Sequence, residues 1–316
     1  MQEGNGMHRP KAAWIRGFRS INMPLILLAA PGLLYLFVNN YLPMFGIFIA
    51  FKEIDYSKGL WGSDWVGFKN FEFLFRTNDA FIMTRNTLLY NLAFIVFGTV
   101  VSIAMAILLY ELKNRLSSKM FQSAILFPNL VSMVIVSYLV YAFLNSDSGL
   151  INLSILRPLG LEEISWYSEP KYWPFILLIT YLWKTAGYTT IIYFAFIAGI
   201  DKSVYEAAKI DGAGKLRQIT SITIPLLKPA VTLMVLLAIG RIFNSDFGLF
   251  YQVPLNSGAL YSVTQTIDTY VYRALMQMHD LGMSSAAGLY QSVVGFVLII
   301  TANKLVKKVD PDNALF

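Results

Sequence analysis

Residues 86–110 read NTLLYNLAFIVFGTVVSIAMAILLY, twenty-five positions without one charged side chain. At about 1.5 Å of rise per residue, a helix of that length is about 37 Å long and crosses a hydrocarbon core roughly 30 Å thick. Similar apolar stretches lie near 24–51, 121–144, 174–200, 226–247 and 285–306. Only 14% of the residues are charged and 56% are hydrophobic, whereas about a quarter of a soluble domain is charged. A soluble interior has no room for that excess, but a bilayer accepts apolar helix surface on every side. The pattern predicts an all-α integral membrane protein with six transmembrane helices.

The run 24–51 exceeds the roughly 7–15 apolar residues of a signal peptide, and Ala29-Ala30 is followed by Pro31, a poor cleavage site. It predicts an uncleaved first transmembrane helix, kinked or ended by Pro31 and Pro43. Orientation follows from the loops. Residues 1–23, 111–120, 201–228 and 304–316 carry 15 Lys and Arg in 74 positions; 52–85, 145–173 and 248–284 carry 8 in 100. The richer set is predicted to be cytoplasmic, which puts both termini inside. The expected layout is a cytoplasmic segment 1–23, a first helix 24–51, an external loop 52–85, a five-helix region 86–308 and a cytoplasmic tail 309–316.

The net charge of +6 is spread over short clusters such as Arg9, Lys11, Arg16 and Arg19, with no basic stripe for nucleic acid. With no cysteine, disulfides, thiol catalysis and Cys-based metal sites are excluded. His8 and His279 lack metal-ligand spacing, and no nucleophile, base and acid gather in the sequence. Gly212-Ala-Gly-Lys215 imitates a phosphate loop but has Lys209 where the motif needs Gly and Leu216 where it needs Ser or Thr. The external loops are aromatic: Trp61, Trp65, Phe68, Phe71 and Phe73 in one, Trp166, Tyr167, Tyr172 and Trp173 in the other. Interfacial anchoring and docking of an external partner are both open readings of them.

One predicted cytoplasmic loop stands apart: DKSVYEAAKIDGAGK at 201–215. Ser203 and Glu206 have capping-box spacing, and Gly212 suits the left-handed position that ends a helix. A two-turn helix with small Ala207 and Ala208 on it serves equally as a connector or as a docking element. A second helical stretch leads to Pro225, where the fifth span is expected to begin.

Glu206-Ala207-Ala208, Asp211-Gly212, then Ile222 and Pro225, with Ile-Pro-Leu-Leu-Lys-Pro at 224–229, resemble the signature loop of permeases in binding-protein-dependent ABC importers, in the sugar-importing branch. Trp183-Lys184 with Gly187, Asn86-Thr87, and the run from Ile267 to Arg273 are similar to the oligosaccharide and polysaccharide-fragment subfamily, and the likeness covers roughly 70–308. One departure is Lys202-Ser203, where many relatives have Pro before the helix.

The resemblance implies a type I importer fold and a subunit without catalysis of its own. Such a permease pairs with a second, homologous permease on two ATPase subunits that hold ATP and Mg, while this chain binds no cofactor. The loop 201–225 would be the coupling loop: its helix docks in the ATPase and Glu206 meets a basic residue there. An extracytoplasmic binding protein would deliver a carbohydrate, and the location would be the bacterial cytoplasmic membrane. An ABC permease for another solute and an ion-coupled carrier are the alternatives; the carrier would want mid-membrane carboxylates and inverted repeats.

Candidate residues of the substrate path are polar groups in or near spans. Lys184 lies about ten residues into the fourth span, roughly 15 Å deep. It serves either the path or a buried pairing. Arg241, Asn244, Ser245 and Asp246 stand near the far end of the fifth span, with Tyr188 and Tyr193 in the fourth. Polar groups beside aromatic faces suit sugars, and helix-to-helix polar contacts are the plainer use. Lys184 or Arg241 would favour acidic sugars such as uronides. The small run Ser284 to Gly288 is expected to serve close helix packing, against the partner permease.

Overall fold

Uncharged runs longer than a bilayer become long helices whose lipid side stays apolar. In the computed structural model, which describes residues 23–112 and 114–309, two units appear, Met1–Phe48 and Ile49–Phe316. The basic cluster at Arg9 to Arg19 and residues 310–316 of the predicted tail lie outside the described residues.

In the first unit, α1 (Met23–Leu36) holds Pro31 in its interior and passes into a π turn, Phe37–Tyr41, and a short turn, Leu42–Met44. Pro43 has no N–H for the usual i→i−4 bond, so the wider turn falls just ahead of it. None of α1 is buried.

The second unit begins in the last 3-10 turns, up to Phe51, and a two-residue hairpin, β1 (Lys52–Glu53) with β2 (Asp64–Trp65). The all-helical expectation omits this hairpin. Then come α2 (Asp79–Glu111), α3 (Arg115–Leu130), α4 (Met133–Leu144), α5 (Trp173–Ala198), α6 (Lys202–Ile210), α7 (Lys215–Ile239), α8 (Ile267–Met276) and α9 (Leu281–Val309). Among the described residues five helices are long and apolar enough to cross a membrane, or six if α3 and α4 count as one broken span.

Two expected spans are corrected. The third, 121–144, is not straight: α3 and α4 meet at 94°. Val131 and Ser132 are extended there, and the Ser132 hydroxyl accepts the Ile135 amide to start α4. The fifth starts at Lys215 rather than after Pro225 and stops at Ile239, short of 247. A π turn at Ile219–Thr223 absorbs the amide missing at Pro225.

α5 packs along α2 and across α3. The α3 contact is backbone to backbone, since a Cβ on Gly187 would stand 1.8 Å from the Ile125 carbonyl oxygen. One end of the bundle joins the close of α2 to the starts of α6 and α7, through the Tyr110 and Tyr205 rings and a 2.6 Å Lys215–Glu111 ion pair. At the other end the start of α2 meets α8. Asn86 donates to the Gln265 carbonyl at 2.9 Å, and Phe73 stacks on Tyr270.

The aromatics of loop 145–173 turn inward. Trp173 is fully buried and donates to the Trp166 carbonyl; Trp166 donates to buried Asn152. In the small run of α9, Ala286 and Ala287 pack into the chain's own core beside Ile267 and Ala274, while Gly288 borders open space.

Candidate functional site

Two places concentrate unusual chemistry, each at a break between helices. The first is α6. Its start is set by Asp201 rather than by the expected Ser203–Glu206 box: the Asp201 carboxylate accepts the Ser203 amide at 2.9 Å. Hydrogen bonds from the Ser203 amide and hydroxyl hold that carboxyl below the usual range. A carboxylate at a helix start also opposes the positive end of the helix dipole. Glu206 is left pointing to solvent.

The end of α6 is a Schellman turn. Ala213 N–H bonds the Ala208 carbonyl at 2.8 Å and Gly212 N–H bonds Lys209 at 3.0 Å, around Gly212 at φ +77°. α6 is tied back by Tyr205 Oη to Thr223 Oγ1, 2.9 Å, and Gln218 closes the following turn on the Ala213 carbonyl. What faces outward is Glu206, Ala207, Asp211, Gly212 and Pro225, with Ala208 and Ile222 half-buried. Ile210 and Leu216 join them, 87% and 76% exposed. Two bare aliphatic side chains, one at the end of the short braced helix and one at the start of α7, are what a docking element presents to another protein.

The second place is where α7 stops. Arg241 is exposed in a turn beyond the helix, and Asn244, Ser245 and Asp246 belong to no helix or strand. Asn91 of α2 donates to the carbonyls of Ile242 and Asn244, 3.0 and 2.9 Å. Gln291 of α9 donates to Asn244 Oδ1 at 2.9 Å. Asp268 accepts the Ser245 amide and hydroxyl at 2.6 and 2.7 Å. A cleft of about 230 Å³ opens there between α7 and α9, with Asn244, Gln291 and Ser292 set among Phe243, Phe296 and Ile299. Mostly apolar walls with a few convergent polar groups are the common form of a ligand site.

The bend between α3 and α4 adjoins this break, since Gly248 packs closely on Met133. Lys184 is half-buried and donates to the carbonyls of Val131, Asn129 and Pro128, at 2.5, 3.2 and 3.5 Å. A cation there satisfies carbonyls that end α3 and meets the negative end of its dipole. Asp246 Oδ1 accepts the Leu249 amide at 3.1 Å and its carboxylate is otherwise exposed. Tyr188 is 58% exposed on α5. Tyr193 is fully buried on α5. No cluster of His, Asp and Glu fit for a metal occurs among the described residues.

Residues 98–311 match the family of the binding-protein-dependent transport system inner membrane component. The chain belongs to this family. It is 37% identical over 290 residues to protein LplB of Bacillus subtilis, covering 92% of this chain and 90% of that one. It is also 37% identical over 285 residues to the polygalacturonan/rhamnogalacturonan transport system permease protein YteP of the same organism, covering 90% and 88%. Its fold matches a crystal structure of a bacterial ABC transporter that imports the acidic polysaccharide alginate, with TM-score 0.82, 28% identity, and 91% and 96% of the two chains covered. The permease therefore has the type I ABC importer fold and is an integral membrane protein.

Within this permease the sequence named Glu206, Gly212, Lys184, Asn244 and Asp246 but missed what holds them. Asn91, Asp268 and Gln291 carry the break, and Ile210 and Leu216 complete the exposed face of the loop 201–225. Asn91 and Gln291 had one signal, a carboxamide inside an apolar span. Asp268 stood only inside the run from Ile267 to Arg273, and its partner Ser245 lies 23 residues away.

Proposed function

We propose that this permease is the membrane-spanning subunit of an ATP-driven importer for a carbohydrate, an oligosaccharide or polysaccharide fragment. It lies in the bacterial cytoplasmic membrane with six spans, α3 and α4 forming one, and with both termini and α6 in the cytoplasm. A second permease and two ATPase subunits complete the pore and its motor, with ATP and Mg on the ATPases, and an extracytoplasmic binding protein supplies the substrate.

The observation that carries the reading is α6: capped at both ends, braced on α2 and α7, and presenting Glu206 and bare Ile210. A carrier driven by ions alone has no use for such a helix. Carbohydrate is supported by the likeness to the polygalacturonan/rhamnogalacturonan permease YteP and to the alginate importer. The cleft between α7 and α9 adds carboxamides and a hydroxyl among aromatic and aliphatic walls. Closure of the ATPase pair moves α6, and the helices joined to it change the side on which the cleft opens.

The test is co-expression with the neighbouring permease, ATPase and binding protein, reconstitution into liposomes, and uptake of oligogalacturonides or alginate oligomers with ATP. Glu206→Lys should leave the complex membrane-inserted while ATP hydrolysis continues without uptake. Normal uptake by that variant would overturn the coupling role, and stable isolation of this chain alone would overturn the importer.

A further inference from the structure

Directly after Asp246 the chain makes a π turn, Gly248–Gln252, whose flank meets α8 in three aromatic rings. Phe247 and Tyr251 stack at 4.9 Å with 17° between planes. Tyr272 of α8 lies 4.7 Å from Phe247 and stands edge-on to Tyr251 at 5.0 Å. All three are half-buried, so ring surface remains open. The Gln277 carboxamide and the Tyr272 hydroxyl are neighbours of the Tyr251 hydroxyl. Gln277 and the Asp246 carboxylate are themselves exposed at the edge.

Arg273, next to Tyr272 on α8, is only 6% exposed. Its guanidinium covers the Tyr261 ring at 4.2 Å and donates Nη1 to Asn256 at 3.3 Å. Its Nη2 has no partner among the described residues. A buried guanidinium nitrogen without an acceptor is costly unless something else supplies one.

Aromatic anchors of a bilayer interface act singly, ring toward lipid and polar tip toward water. Here three rings are gathered on one another, with two hydroxyls, a carboxamide and a carboxylate at the margin. That combination matches a pyranose ring, whose C–H face stacks on an aromatic and whose hydroxyls need donors and acceptors at the edge. The patch lies at the end of the bundle away from α6, because α8 packs on the start of α2, where the Ile267 amide meets Thr87. It is also continuous in sequence with the break after α7.

We propose that Phe247, Tyr251 and Tyr272, edged by Gln277 and Asp246, form an entry subsite that stacks one sugar ring of the incoming chain ahead of the cleft between α7 and α9. The subsite rests on the importer reading above and adds a residue-level step to it: the substrate is held by this permease on its outer face before it reaches the cleft.

The experiment is saturation-transfer NMR on the reconstituted importer without its binding protein, using an oligogalacturonide, an alginate oligomer and a neutral xylo-oligomer as probes. ATP-driven uptake of the same probes is measured with the binding protein present. At least one probe should receive saturation through its ring C–H protons. Tyr251→Leu and Tyr272→Leu should each weaken that signal about tenfold, while Tyr251→Phe, which keeps the ring, retains most of it. Two positions are used so that a complex lost to misfolding of one variant leaves the other to decide. Full saturation transfer in both leucine variants would overturn the subsite. So would absence of transfer in a wild-type complex that still imports a probe, and in that case the importer reading stands. Failure to import any of the three would overturn the carbohydrate reading, and the subsite with it.

Discussion

Gly212 offers the sharpest test of how the end of α6 is built. Its φ of +77° lies in the left-handed region, and a Cβ added there meets nothing within 4 Å. Any effect of substitution inside this chain is therefore conformational rather than steric. An L side chain in that region costs about 1–2 kcal/mol, while Asn adopts it more readily. A cost of that size shifts the balance between the closed Schellman turn and an open one by roughly 5–30-fold. Gly212→Val should accordingly loosen the Ala213–Ala208 and Gly212–Lys209 bonds, and Gly212→Asn should keep them. Hydrogen exchange of the peptide covering 207–214, in the assembled importer, reads those amides directly, with ATP-driven uptake measured in parallel. Protection in Gly212→Val equal to wild type would refute the conformational account. Asn performing as badly as Val would refute it differently, by showing that a partner protein needs the space.

Two further outcomes follow from the helix contacts. Gly187→Ala places a methyl carbon 1.8 Å from the Ile125 oxygen, where ordinary contact begins at 3.4 Å, so α3 and α5 must part by more than an ångström. Overpacking of this kind costs about 1–3 kcal/mol, and the melting midpoint of the solubilised permease should fall; an unchanged midpoint would deny the backbone contact. Lys184→Met strips the ammonium from three carbonyls at the α3–α4 bend, where each unsatisfied group costs about 1–3 kcal/mol. It should lower the melting midpoint and reduce uptake of acidic and neutral oligosaccharides by the same factor. Selective loss of acidic substrate would instead make Lys184 a substrate ligand.

The spans were readable because apolar length is a property of contiguous sequence. Gly212 was readable because only one backbone conformation rewards glycine at the end of a short helix. The bend was not, since hydrophobicity runs unbroken through Leu130-Val131-Ser132-Met133 and a serine there is as ordinary in a helix as at its start. Asp201 and Ser203 are both good caps, and the choice between them depends on the angle at which α5 hands the chain over. The end of α7 was misplaced because Ile242, Phe243 and Phe247 stay apolar beyond the helix, where Phe243 fills the core. Lys184 was visible as an anomaly, yet its partners are carbonyls, which carry no letter in a sequence.

The Gly187–Ile125 contact and the Lys184 bonds have a mechanical consequence when taken with the position of α6. α6 hangs from the end of α5 by Gly199, Ile200 and Asp201. α5 in turn is keyed to α3 where the two backbones touch, and pinned at the bend one turn earlier. Side chains between two helices act as a compressible cushion, but at Gly187 there is no cushion. Thrust on α6 has little slack to take up before it reaches the elbow of α3 and α4, and that elbow lies against the open stretch after α7. The permease would then behave as a short, stiff crank. Its throw is set by a missing methyl group and its wrist by one ammonium.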